Sequence, residues 1–115
     1  MGAVSRQRIA VFGAGAWGTA LAQAFSGTHD VRLWARDAAH LQAMALTREN
    51  RRYLPDVRLG EALAFEPDFA LAAQAADLHL VVTPLAGLRD TVRELHRLKP
   101  RTPLLWACKG LEAGT

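Results

Sequence analysis

Short apolar runs alternate with longer amphipathic segments along the chain. The runs at residues 8–12, 31–35, 78–82 and 104–108 are rich in aliphatic residues and nearly continuous, as in strands buried on both faces of a sheet. A shorter strand is predicted at residues 62–66. Helices are predicted at residues 16–25, 38–46, 68–76 and 88–98, where good helix formers dominate or apolar residues recur every three or four positions.

This alternation of strands and helices predicts an α/β fold with a mainly parallel, doubly wound sheet of the Rossmann type. The segment 47–56 (TRENRRYLPD) interrupts the alternation and is predicted to be a polar loop, because Pro55 prevents a continuous helix. Trp34 and Trp106 lie in apolar runs and are predicted to belong to the core. The chain stops just past its last strand, so we expect an incomplete domain.

Composition and charge exclude several classes of function. The net charge is +3, but twelve of the fourteen cationic residues are arginines scattered among acidic residues, which argues against a nucleic-acid partner. The single cysteine, Cys108, excludes an internal disulfide, and the four histidines lack metal-ligand spacing, so no metal site is predicted. No apolar run is long enough to span a bilayer, so we expect a cytoplasmic protein without membrane insertion.

The clearest chemical signal is the pattern G-x-G-x-x-G at residues 13–18 (GAGAWG). The pattern follows a predicted strand and opens a predicted helix, which is the context in which it binds a dinucleotide. Gly13 permits the tight turn, Gly15 lets the backbone approach a pyrophosphate, and Gly18 lets the helix pack on the strand. The N–H groups and dipole of the helix start favour phosphate there. The alternative is a strand-to-helix turn that binds nothing.

A position about twenty residues after the turn distinguishes the two nicotinamide dinucleotides. An acidic residue there binds the ribose 2′-hydroxyl of NAD, whereas an arginine suits the 2′-phosphate of NADP. Our alignment places Arg36 at this position and Asp37 at the start of the next helix as its cap, which predicts a preference for NADPH. A shift of one residue would place Asp37 there and favour NAD.

Four motifs occur in an order that resembles a known family: GAGAWGTALA, N-x-x-Y-L-P at 50–55, V-T-P at 82–84 and C-K-G-L-E at 108–112. Over nearly its whole length the chain resembles the N-terminal cofactor domain of bacterial NAD(P)-dependent glycerol-3-phosphate dehydrogenases. The resemblance implies that residues 1–115 form a dinucleotide-binding Rossmann domain whose helical substrate domain is absent from this chain. It also implies reversible reduction of dihydroxyacetone phosphate, a phosphorylated small molecule, to sn-glycerol 3-phosphate for glycerophospholipid synthesis.

The resemblance assigns roles to particular residues. Ala16 and Trp17 match family residues that contact the cofactor in the glycine turn, and the alternative for Trp17 is a ring that fills the core. Arg36 matches a basic residue at the adenosine end of the cofactor. Tyr53 matches a further cofactor contact, and its alternative is a loop tyrosine packed on its neighbour. Lys109 matches a lysine that touches both cofactor and substrate. It follows a predicted strand end, where open α/β sheets bind ligands, and its alternative is an exposed turn lysine.

The chain differs from the family pattern in two respects. Thr83 stands where a small apolar residue is expected before the proline, and the proton-donating lysine of the family belongs to the second domain. We therefore expect no catalytic residue in this chain and no turnover by it alone. The sequence leaves the oligomeric state open, with a homodimer as one possibility for the full-length enzyme. Two other functions stay open: a non-catalytic nucleotide-sensing module, and a related NAD(P)-dependent dehydrogenase of sugars or hydroxy acids.

Overall fold

The computed structural model describes residues 6–107, with the backbone alone for Leu85. In this range the elements are β1 (Arg8–Phe12), α1 (Ala16–Phe25), β2 (Asp30–Trp34), α2 (Ala38–Thr47), β3 (Glu49–Asn50), β4 (Leu54–Arg58), β5 (Leu63–Phe65), α3 (Phe69–Ala75), β6 (Leu78–Val81), α4 (Leu85–Leu98) and β7 (Leu104–Trp106). No helix in this part of the chain is both long enough and apolar enough to cross a membrane.

Five strands form a parallel sheet in the order β5-β2-β1-β6-β7. β2 and β6 lie on opposite sides of β1. The direction in which the chain winds across the sheet therefore reverses between β1 and β6. In such sheets ligands bind beyond the carboxyl ends of the strands, at the point of reversal. Phe12 is in register with both Trp34 and Val81, so the turns that follow these three residues lie along one edge, which we call the carboxyl edge. The predicted fold class is confirmed.

Each face of the sheet carries an apolar cluster. Strand β1 contributes to both, because Ile9 and Val11 belong to one cluster whereas Ala10 and Phe12 belong to the other. The first cluster contains residues of α1 and α2, and the second contains residues of α3 and α4. Burial on both faces explains why the sequence of β1 is apolar at successive positions rather than at alternate ones.

One tryptophan prediction is confirmed and the other is wrong. Trp34 packs against the second cluster, where its ring lies edge-on to Phe69 with centroids 4.9 Å apart. Trp106 is 44% exposed. In the described part of the chain β7 has a single neighbour, β6, and therefore lies at an edge of the sheet. An apolar run of this kind does not reveal whether its strand is central or peripheral.

The segment predicted to be a polar loop forms an antiparallel hairpin of β3 and β4. Pro55 prevents a helix but is compatible with β4, since within residues 6–107 this strand pairs only with β3. The ladder register shifts between Glu49 and Asn50. Arg48, in the left-handed conformation with φ 55°, lies between the end of α2 and the start of the hairpin.

The predicted start of α4 is wrong by three residues. Pro84 is the N-cap of this helix, which begins at Leu85 rather than at residue 88.

The side chain of His79 is buried between β6 and α3. Its Nε2 donates a hydrogen bond to the carbonyl oxygen of Ala73 at 2.8 Å, and its ring lies edge-on to Phe12 with centroids 5.6 Å apart. Burial lowers the pKa of His79 below its ordinary value, and the positive charge of Lys99 lowers it further, although the hydrogen bond to Ala73 opposes the shift. Burial therefore favours the neutral form of this imidazole.

We expect stability to decrease in mild acid because of His79. A histidine with a lowered pKa in the folded state contributes stability that is fully present above the unfolded-state pKa, ordinarily 6.5, and is lost as the pH falls below it. The free energy of unfolding, measured in urea, should thus be smaller at about pH 5.5 than at about pH 7.5. His79→Gln, which keeps an amide donor, should show a weaker pH dependence; equal pH dependence in the two proteins would contradict this assignment.

Candidate functional site

The glycine turn, residues 13–15, connects β1 to α1 at the carboxyl edge. Gly13 donates its N–H to the carbonyl oxygen of Trp34 at 2.9 Å and has a φ of 124°, which favours glycine. A Cβ at this residue would also overlap the carbonyl oxygen of Val82, at the end of β6. Glycine is therefore required at position 13 by both the backbone conformation and the close approach of β6.

The other two glycines of the pattern differ in what surrounds them. A Cβ on Gly18 would overlap the carbonyl oxygen of Gly13, so α1 packs against the turn at a distance that only glycine permits. Gly15 caps α1 with an extended backbone, and a Cβ built on it meets no atom of residues 6–107 within 4 Å. The described part of the chain does not require glycine at position 15, and the open space there fits the approach of a ligand to the backbone.

A buried asparagine, Asn50, links the hairpin to the glycine turn. Its side chain is fully buried, and Nδ2 donates to the carbonyl oxygen of Ala14 at 2.9 Å and to Oγ1 of Thr19 at 2.8 Å. Its Oδ1 accepts a hydrogen bond from the backbone N–H of Tyr53 at 3.2 Å. Asn50 is the first residue of the motif N-x-x-Y-L-P, and the motif alone assigns it no role. An asparagine within a predicted polar loop is ordinarily solvated, so only its place in the motif pointed to it.

The aromatic candidates lie on different elements. Ala16 and Trp17 form the start of α1, and Trp17 is 39% exposed rather than packed in the core. Tyr53, in the hairpin, is 49% exposed, and its ring lies edge-on to His40 with centroids 5.6 Å apart. The guanidinium carbon of Arg52 lies 5.8 Å from the centre of the Tyr53 ring. Contact with a cofactor remains a prediction for all three candidates.

Arg36 and Asp37 follow β2 and have separate environments. Asp37 caps α2 by accepting a hydrogen bond from the backbone N–H of His40 at 3.1 Å. This hydrogen bond, together with the nearby Arg52, holds the pKa of Asp37 below its ordinary value. The predicted cap is confirmed. Arg36 is exposed, and its Nη2 lies 3.4 Å from the position that a Cβ on Gly87 would take. Its side chain therefore extends along the carboxyl edge from β2 towards α4.

The last predicted site residue, Lys109, lies outside the described residues, as does the rest of the motif C-K-G-L-E at 108–112. The last described residue, Ala107, lies directly after β7 at the carboxyl edge, where it donates its N–H to the carbonyl oxygen of Val81 at 3.0 Å. The role of Lys109 stays a prediction. Within residues 6–107, no group of three or more His, Cys, Asp or Glu side chains could hold a metal ion.

Comparison with known proteins yields a match over most of the chain. Residues 8–115 match the family model for the N-terminus of NAD-dependent glycerol-3-phosphate dehydrogenase. The glycerol-3-phosphate dehydrogenase [NAD(P)+] of Aromatoleum aromaticum is 71% identical over 108 residues, and that of Dechloromonas aromatica is 49% identical over the same length. Each alignment covers 94% of this chain and 33% of the relative.

A solved structure agrees with these sequence matches. The crystal structure of glycerol-3-phosphate dehydrogenase from Coxiella burnetii superposes with a TM-score of 0.80 at 30% sequence identity, covering 90% of this chain and 32% of that one. The chain thus spans about a third of the length of the relatives it matches.

The surroundings of Gly15 and Gly18 predict opposite responses to alanine. Gly15→Ala should change the free energy of unfolding by less than about 1 kcal/mol, because a methyl group meets open space and an ordinary backbone conformation. Gly18→Ala should lower it by about 2 kcal/mol or more, since the helix must move away from the carbonyl oxygen of Gly13. Urea unfolding of both variants measures the contrast, and similar losses would show that the turn adapts to either methyl group.

Proposed function

The chain belongs to the family of NAD-dependent glycerol-3-phosphate dehydrogenase N-terminal domains, and on this premise we propose that it binds the dinucleotide of such an enzyme. The open backbone at Gly15 carries the proposal. This residue lies at the start of α1, on the carboxyl edge where the direction of winding reverses. N–H groups at a helix start favour the charge of a pyrophosphate, and the missing side chain allows its oxygens to come within hydrogen-bonding distance.

The side chains around the turn suit the remainder of a dinucleotide. Arg36 would bind the 2′-phosphate of NADPH, because its guanidinium is exposed at the carboxyl edge and is involved in none of the ion pairs among residues 6–107. Asp37 is engaged as a helix cap, which disfavours its use for a ribose hydroxyl. We therefore propose NADPH as the preferred cofactor and NADH as the weaker one. Trp17 and Tyr53 would border the bound cofactor.

The reaction we propose for the whole enzyme is the interconversion of dihydroxyacetone phosphate and sn-glycerol 3-phosphate. The bound nicotinamide would supply or accept the hydride. This chain would hold the dinucleotide and aim its nicotinamide towards the substrate, and Lys109 would touch both molecules. The remaining two thirds of the enzyme would bind the phosphorylated substrate and supply the proton-donating lysine, so we expect no turnover by this chain alone. We place the reaction in the cytoplasm and in glycerophospholipid synthesis.

The match to one dehydrogenase family supports this function over the two alternatives that the sequence left open. A nucleotide-sensing module would share the glycine turn and the sheet. The relatives at 71% and 49% identity are both named as glycerol-3-phosphate dehydrogenases, and neither name refers to sugars or hydroxy acids. We therefore propose the activity in their names for this chain's enzyme, on the basis of the third of the relatives' length that the chain matches.

Calorimetric titration tests the proposed cofactor preference. NADPH should bind more tightly than NADH, and Arg36→Ala should weaken NADPH binding about tenfold or more while leaving NADH binding nearly unchanged, because one charge-assisted contact to phosphate is removed. Arg101→Ala is the matched control. Arg101 is exposed and precedes β7, far from the carboxyl edge, so this variant loses the same charge without losing the contact.

Three results would contradict parts of this proposal. Equal affinity for NADPH and NADH would remove the role of Arg36 but keep the dinucleotide site. Equal losses in Arg36→Ala and Arg101→Ala would attribute the effect to net charge. Absence of binding to either cofactor by the folded chain would contradict the binding function itself.

A further inference from the structure

We propose that Asn50 is a positioning residue that directs the N–H of Gly15 towards the pyrophosphate of the cofactor. The inference rests on the proposed function and adds to it a residue outside the glycine pattern. It starts from the fully buried side-chain amide of Asn50, whose two donor bonds go to the turn and to α1 and whose oxygen accepts from the hairpin.

The hydrogen bond from Asn50 orients the peptide unit between Ala14 and Gly15. This unit is trans, as are all peptide bonds in the described chain, so its carbonyl oxygen and its N–H point in opposite directions. Asn50 holds the Ala14 carbonyl oxygen towards the protein interior. The Gly15 N–H therefore points away from Asn50, out of the protein interior. In the described chain, no backbone group accepts a hydrogen bond from this N–H.

The next carbonyl group of the turn, that of Gly15, is also held in place. The carbonyl oxygen of Gly15 accepts the N–H of Thr19 at 3.0 Å, and Oγ1 of the same Thr19 accepts from Asn50. Thr19 is itself fully buried. Asn50 and Thr19 together hold two successive carbonyl groups of the turn, which fixes both neighbouring peptide planes. The Asn50 amide has a partner for both of its donors and for its oxygen, and such a buried group is held stiffly, because breaking a bond leaves it without a partner.

Position 50 needs an asparagine because of the three hydrogen bonds that its side chain makes. Two donors on one nitrogen are required for Ala14 and Thr19, and an acceptor is required for the Tyr53 N–H. An asparagine amide supplies this set, whereas aspartate lacks the donors and leucine lacks all three groups. The register shift between Glu49 and Asn50 also fits this role, since irregularities of this kind in a ladder redirect a side chain.

Variants at the two ends of this network test the proposal. Asn50→Leu removes all three hydrogen bonds, and Thr19→Val removes one while keeping the size of the side chain. Asn50→Leu should weaken NADPH binding about tenfold or more, with a smaller loss for Thr19→Val. Binding of 2′-AMP, which lacks a pyrophosphate, should change less than about threefold in Thr19→Val, because the contacts of the adenosine end are kept.

The control separates positioning from general loss of stability. Leu95→Ala creates a cavity in the second cluster, on the opposite face of the sheet from Asn50. It should lower the free energy of unfolding by about 2 to 5 kcal/mol. At temperatures where this variant stays folded, its affinity for NADPH should be unchanged. Amide NMR provides a direct signature. The Gly15 signal should shift on addition of NADPH to the natural protein, and the shift should be smaller in Thr19→Val.

Unchanged NADPH affinity in a folded Asn50→Leu protein would overturn the inference and leave the proposed function intact. If Asn50→Leu does not fold, Thr19→Val decides: a weaker NADPH complex with 2′-AMP binding kept supports the inference, and unchanged NADPH binding overturns it. If the natural protein is folded but binds neither NADPH nor 2′-AMP, the inference and the proposed function both fail.

Discussion

The close approach of α1 to the glycine turn is the contact on which the carboxyl edge depends. Gly18 and the carbonyl oxygen of Gly13 are so near that a single methyl group would separate the helix from the strand. Because α1 starts directly after the turn, any such movement would also displace Gly15 and the peptide planes around it. Val82 limits the same turn from the other side, since its carbonyl oxygen lies where a Cβ on Gly13 would be. The turn is held between α1 and β6.

Much of the fold could be predicted from the sequence because its signals are local. The β1 run, the glycine pattern and the Asp37 cap each depend on a few neighbouring residues, and the structure has them as expected. The errors concern features that depend on distant parts of the chain. The exposure of Trp106 follows from the lateral position of β7, and Pro55 is acceptable because β4 pairs on one side only in the described chain. Neither fact is visible in the residues themselves.

The candidate site divides in the same way. Glycine spacing identified the turn, but the partner that holds it lies 36 residues away in sequence, in a hairpin that looked like a loop. Asn50 and His79 are both polar, both buried and both satisfied by a backbone carbonyl group. The sequence pattern placed Asn50 in a polar loop, where a side chain is solvated by default, and it included His79 in an apolar run without indicating a partner. The fold shows the contact that accounts for each of them.

If Arg36 binds the 2′-phosphate as we propose, the neighbouring positions 36 and 37 have different consequences for how cofactor preference changes in evolution. Asp37 determines where α2 begins, so replacing it would disturb the fold before it altered any ligand. Arg36 is exposed, and the described chain depends on it for no ion pair. A lineage that shifted between the two dinucleotides could therefore do so by substitutions at position 36 while the adjacent cap stays constant. On this proposal, the requirement for helix capping lies on Asp37 and the choice of cofactor lies on Arg36. A substitution at position 36 can then change the cofactor without weakening the cap.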